Sequence, residues 1–153
     1  MVTLNERLPT PLPMEERPRT VDEWMNHPAR TKLNAVGEDR LPDGSFHTMM
    51  TRVATFHAKH DFASAENNGH DMGYRIALCV EELGELSAAI TKGKPAAEAA
   101  EELADLLILI LGNSLAMEVD LEREFHAKMD RIMLRKSKRG GMGIRVTEYG
   151  SDL

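Results

Sequence analysis

Apolar residues recur at three- and four-residue intervals through four stretches of the chain, and that period predicts helices. Phe46, Met49, Met50, Val53, Phe56 and His57 share one face of a helix predicted over about 45–62. The stretch ASAENNGH at 63–70 interrupts the pattern. Ile76, Val80, Leu83, Leu86 and Ile90 form the apolar stripe of a second helix over about 72–91. Gly93 and Pro95 follow it in the order that ends a helix. A third helix is predicted over about 96–117, and a fourth over about 121–137 with Phe125, Met129, Ile132 and Met133 on one side. Gly140, Gly141 and Gly143 close the last. Short connections between long helices make neighbours antiparallel, so the expected fold is all-α, a bundle of about four main helices.

The flanks lack this period. Residues 1–44 read as a largely irregular arm, with a short helix near 21–26. Thr20 followed by Glu23 has capping-box spacing, Pro28 would stop the helix, and Trp24 is the natural anchor. The expected organisation is the arm at 1–44, a helical domain at 45–139 and a tail at 140–153, which Ile144, Val146 and Tyr149 could dock.

Composition narrows the class. Aromatic residues are only 5% of 153, while Met reaches 10, so a core of Leu, Ile, Ala and Met favours helix packing over a β-sandwich. The net charge of -6 argues against a general nucleic-acid coat, and no stable nucleic-acid partner is expected. The single cysteine, Cys79, cannot form an internal disulfide and reads as a buried small hydrophobe. Residues 1–20 hold four prolines and no apolar signal core, and the apolar run Leu103–Leu111 is too short to span a bilayer. A soluble cytoplasmic protein without membrane contact is expected.

The chemistry resides in acids set among apolar residues. Glu81, Glu82 and Glu85 lie on the second helix, with Glu85 about 60° around it from Glu82 and about 40° from Glu81. All three occupy one flank, away from the apolar stripe. In EELADLLILIL on the third helix, apolar residues point in every direction, which predicts burial on all sides. Asp105 sits inside that run and Glu102 one turn before it. A carboxylate there needs compensation, and no Lys or Arg lies within a turn of Asp105 on its own helix. The compensation must come from another helix, another chain or a metal.

Four clustered carboxylates are hard oxygen donors and suit Mg²⁺, with Mn²⁺ as a possible substitute. A di-iron bundle needs Glu-x-x-His pairs, which these helices lack; His126 follows Glu122 at i+4. Zinc is disfavoured by the absence of His or Cys beside the acids. His57 and His60 have unremarkable spacing for a metal pair.

Glu82-Leu-Gly-Glu85, sixteen intervening residues and Glu102-Leu-Ala-Asp105 together resemble the MazG-like all-α nucleoside triphosphate pyrophosphohydrolases, over about 70–135. The resemblance implies Glu82, Glu85, Glu102 and Asp105 as Mg²⁺ ligands and Glu81 as the base that holds or deprotonates the attacking water. It implies hydrolysis of an NTP or dNTP to the monophosphate and pyrophosphate, in nucleotide-pool house-cleaning, by a homodimer or homotetramer. His70 matches a family histidine near the nucleotide; a turn residue capping the second helix is the other reading. Lys128, Asp130 and Arg135 fit a family pattern late in the fourth helix, although Ile132 stands where the family often has Asn, and Lys128, Arg131 and Arg135 are the expected substrate-binding residues. The basic run Arg131, Arg135, Lys136, Lys138 and Arg139 is either favourable charge at a helix C-terminus or a triphosphate clamp.

Two rival classes share parts of this pattern. A dimeric dUTPase-like or phosphoribosyl-ATP pyrophosphohydrolase-like enzyme would keep bundle and acids with another substrate. A non-catalytic helical interaction protein would keep the stripes but would not need Asp105 in an apolar run.

Overall fold

The computed structural model describes residues 17–26 and 45–147. The expectations for the rest of the arm, including the Pro28 stop, and for Tyr149 in the tail lie outside the described residues. The chain divides into two compact units, the first ending at Asp120 and the second beginning at Leu121.

The first unit opens with α1, Val21–Met25. The capping box forms: Glu23 N donates to Thr20 Oγ1 at 3.1 Å, and Glu23 Oε2 accepts from Thr20 N at 3.2 Å. This short helix is more than an appendage. Val21 and Trp24 are buried, α1 packs on α2, and the Trp24 ring meets His47 edge-on at 4.9 Å. Arg17 pairs with Asp120 at 3.7 Å, tying the segment to the end of the unit.

Helix α2 spans Phe46–Lys59, capped by Ser45, and stops short of the expected end because the backbone turns at His60 and Asp61 (φ 52). Its buried face is Thr48, Met50, Thr51, Val53, Ala54 and His57. Phe56, expected inward, is exposed and packs edge-on against His60 and Phe62.

Helix α3 spans Met72–Thr91, as predicted; its N-cap is Asp71, whose side chain accepts from Tyr74 N at 2.8 Å. At its end Gly93 adopts φ 63, with Gly93 N bonded to Ile90 O and Lys94 N to Ala89 O. These two bonds are a Schellman stop, which needs a left-handed residue where Gly93 sits. Pro95 then fixes the entry into α4, Ala96–Ala116. The short turn folds α4 back along α3, and α2 also packs on α4. Leu111 and Leu115 on α4 join Met50, Val53, Ala54 and Ala89 in the core.

Two expectations about these helices need correction. The α3 stripe does not face the chain's own core: Ile76 is 51%, Val80 62%, Leu83 56% and Ile90 64% exposed. Nor is α4 buried on all sides, for Leu103, Leu107, Ile108 and Ile110 are exposed. The face that α3 turns towards α4 includes buried Arg75 and Ala89 and half-buried Cys79 and Glu82. Arg75 packs inward because Asn113 and Leu109 on α4 accept its hydrogen bonds, while Glu81, Glu85 and most of the apolar stripe stay outside.

The second unit contains α5, Leu121–Met133, which is amphipathic yet buries no residue. It ends earlier than expected because the chain enters a hairpin, β1 (Ser137–Gly140) and β2 (Gly143–Val146). Ser137 pairs with Val146, Lys138 with Arg145, Arg139 with Ile144 and Gly140 with Gly143. The fold is all-α with this one small addition; the expected irregular tail and the boundary at 139/140 both give way to the hairpin. No helix among the described residues is long and apolar enough to cross a membrane.

Candidate metal centre

Glu82 lies ten residues before Lys92, where α3 stops, and Asp105 ten residues after Pro95, where α4 starts. Folding the two helices back on each other therefore brings them level, with Glu102 one turn nearer the bend. A carboxylate oxygen from each of Glu82, Glu102 and Asp105 comes within 4.8 Å of the others, and all three side chains are half-buried. Glu82 Oε2 is buried with no hydrogen-bond partner among the described residues. None of the three acids takes part in an ion pair among the described residues. The Glu102 carboxyl is held above the ordinary carboxylate range, first by lost hydration, then by the charges of Glu85, Glu82 and Asp105 and a hydrogen bond with Glu82. Convergent carboxylates that repel one another, with an orphaned oxygen and no ion-pair partner among the described residues, fit a hard divalent cation.

The other expected site residues sit as follows. Glu85 is exposed and outside the close trio, yet its charge reaches Glu102. Glu81 is exposed, and its side chain makes no hydrogen bond or ion pair among the described residues. His70 precedes the N-cap Asp71, which lies eleven residues and so about 17 Å from Glu82 along the α3 axis. It does not cap α3, a role that Asp71 fills. Lys128 and Arg131 are exposed on α5 of the second unit; Arg135, just beyond that helix, is half-buried.

A polar group that the acids overshadow in the sequence occupies the other end of the α3–α4 pair. Arg75 is 3% exposed. Its Nε donates to Asn113 Oδ1 at 2.7 Å, Nη1 to Gly69 O at 3.0 Å and Nη2 to Leu109 O at 3.2 Å. Burial lowers its pKa. His57 Nδ1 lies 2.8 Å from His70 Nε2. Burial, then the Arg75 charge, then His70 push His57 down to about 3, so it is neutral at pH 7. His70 is lowered by burial and Arg75, with Glu118 opposing. Gly112 makes room for both: a Cβ there would overlap Arg75 Nη2 and lie 2.7 Å from His57 Nε2. The sequence signal was present in Arg75, which shares a helix face with Cys79 and Glu82, and in Gly112-Asn113-Ser114 inside an apolar helix.

Residues 45–131 match the family model described as Phosphoribosyl-ATP pyrophosphohydrolase. No curated protein and no solved structure gives a match. The matched span contains α2, α3, α4 and most of α5, hence every acid of the centre, and nucleotide pyrophosphohydrolase activity accompanies it. The chain belongs to the phosphoribosyl-ATP pyrophosphohydrolase family, within the MazG-like all-α nucleoside triphosphate pyrophosphohydrolase superfamily.

Proposed function

We propose that this protein is a Mg²⁺-dependent pyrophosphohydrolase that converts an NTP or dNTP to the monophosphate and pyrophosphate, serving nucleotide-pool house-cleaning. The observation that carries the reading is the approach of Glu82, Glu102 and Asp105 within 4.8 Å, with no ion-pair partner among the described residues. Glu82, Glu102 and Asp105 hold the metal, and Glu85 supports it through charge or as a fourth ligand. The bound ion supplies charge to the phosphoryl oxygens and acidifies water. Glu81, about 40° around α3 from Glu85, takes the proton of the water that attacks the phosphoryl group. Pyrophosphate leaves as the phosphoric anhydride bond breaks. Lys128, Arg131 and Arg135 are assigned to the substrate's negative charge, and His70 to the nucleotide.

The family match favours a second substrate, phosphoribosyl-ATP, on the same acids. Pyrophosphate release measured across NTPs, dNTPs and phosphoribosyl-ATP, with Mg²⁺ and with EDTA, separates the two. Release from phosphoribosyl-ATP alone would replace the house-cleaning reading; no metal-dependent release from any of them would remove both.

The enzyme works as a homodimer or homotetramer on this reading. Ile76, Val80, Leu83 and Ile90 on α3 form a row of exposed large apolar residues. A second copy of the chain covers that row.

A further inference from the structure

The hairpin lies beyond the family match at 45–131, so shared pyrophosphohydrolase chemistry does not account for it. All eight of its strand residues are exposed. A two-stranded hairpin that buries nothing is marginal in water. This one also sets Lys138 directly opposite Arg145, two like charges on one face, an arrangement that costs stability. Arg139 projects on the other face, opposite Ile144. Among the described residues Lys138, Arg139 and Arg145 form no ion pair, and at the hairpin's base Arg135 Nε is buried without a hydrogen-bond partner. The tip, Gly141–Met142, carries a fully exposed Met142.

Charge is concentrated here to an extent that the chain-wide value hides. Residues 131–146 hold six cations (Arg131, Arg135, Lys136, Lys138, Arg139, Arg145) and no acid, so the net -6 leaves -12 for the remainder. We propose that the β1–β2 hairpin docks on the phosphodiester backbone of a nucleic acid. The juxtaposition of Lys138 and Arg145 is unfavourable alone and becomes favourable when phosphates lie along it.

The dimensions distinguish a polymer from a single triphosphate. Four strand residues span about 13 Å, and duplex DNA carries one charge per about 1.7 Å of axis, so several phosphates lie within reach of one ribbon. Cations on both faces suit a strand pair lying between two backbones, whereas one triphosphate occupies one face. A two-stranded ribbon fits the major groove, and an exposed apolar tip such as Met142 is the kind of side chain that wedges against bases. The acidic remainder repels a polyanion, which confines contact to the hairpin and makes binding weak and steeply salt-dependent. The expectation of no nucleic-acid partner rested on net charge, which averages over this segregation.

The test is fluorescence anisotropy of the full chain with a labelled DNA duplex and a labelled single-stranded RNA, in EDTA, from about 25 to 200 mM salt. The expected result is binding to at least one of them, with a log–log salt slope of about -3. Lys138→Ala/Arg145→Ala should weaken binding at least about tenfold and flatten the slope by nearly two, while KM for nucleotide stays within about twofold. Lys138→Arg/Arg145→Lys, which keeps both charges, should restore binding and exposes any folding fault of the alanine pair. Absence of binding to either polymer at the lowest salt overturns the proposal. So does undiminished binding by the alanine variant, or a raised KM for nucleotide in its place.

Discussion

The guanidinium of Arg75 is held by Asn113 Oδ1 at 2.7 Å and makes no ion pair with Glu82, two turns further along the same face of α3. A buried cation and a cluster of repelling acids therefore share one helix interface without neutralising each other. Arg75 spends its donors on Gly69, Leu109 and Asn113, joining the loop before α3 to α4. The acids have no ion-pair partner among the described residues.

Gly112→Ala should be among the most damaging substitutions outside the acid cluster. The added methyl would overlap Arg75 Nη2 and crowd His57, and both are buried. Displacing Arg75 strands two backbone carbonyls and a buried charge, so a loss of about 3 kcal/mol or more is expected. Urea denaturation of the metal-free protein checks this, and a change under about 1 kcal/mol would show that the interface relaxes easily.

Stability should fall as pH drops from about 6.5 towards 3. His57 binds its proton near 6.5 when unfolded and only near 3 when folded, so the unfolded chain holds more protons between those values. Its contribution is complete above about 6.5 and is lost as pH falls, with a slope approaching 1.4 kcal/mol per pH unit. His70 is lowered too and acts in the same sense. Denaturation curves for wild type and His57→Gln between pH 7.5 and about 5 should diverge, the variant showing the shallower slope. Parallel curves would contradict the assignment.

Leu83→Glu tests the exposed row on α3. Leu83 is 56% exposed in the single chain, so glutamate there costs one copy little. Buried between two copies it would cost several kcal/mol of association. Sedimentation velocity should show wild type as a dimer or tetramer and the variant as a smaller species with unchanged far-UV circular dichroism. An unaltered oligomer would move the interface elsewhere.

The limits of α3 and α4 were legible because Gly93 and Pro95 are local signals that act on their own neighbours. The acid cluster was legible for a related reason: equal distance from a tight turn brings Glu82 and Asp105 level once the helices fold back. What the sequence concealed was the direction of each face. Period alone identifies two flanks of α3, and the rule that the apolar one faces the core fails here because Asn113, Leu109 and Gly112 on α4 offer Arg75 a satisfied interface. The hairpin was hidden for a third reason: β1 (Ser137–Gly140) holds no apolar residue, and the alternation of Ile144 and Val146 around Arg145 in β2 is too short to mark a strand. Phe56 was misplaced because local stacking with His60 and Phe62 competes with the helix stripe.

The central claim is that Glu82, Glu102 and Asp105 hold a catalytic divalent cation, and Asp105→Asn tests it with two readings from one variant. The substitution keeps size and hydrogen-bonding capacity while removing a negative charge from the cluster. Metal-free stability should stay level or rise by up to about 1 kcal/mol, because mutual repulsion is relieved. Mg²⁺-dependent pyrophosphate release from nucleotide should fall by at least about a thousandfold. If Asp105 were instead a structural acid, the variant would lose several kcal/mol of metal-free stability. Full Mg²⁺-dependent turnover by Asp105→Asn, with the fold intact, would contradict the account.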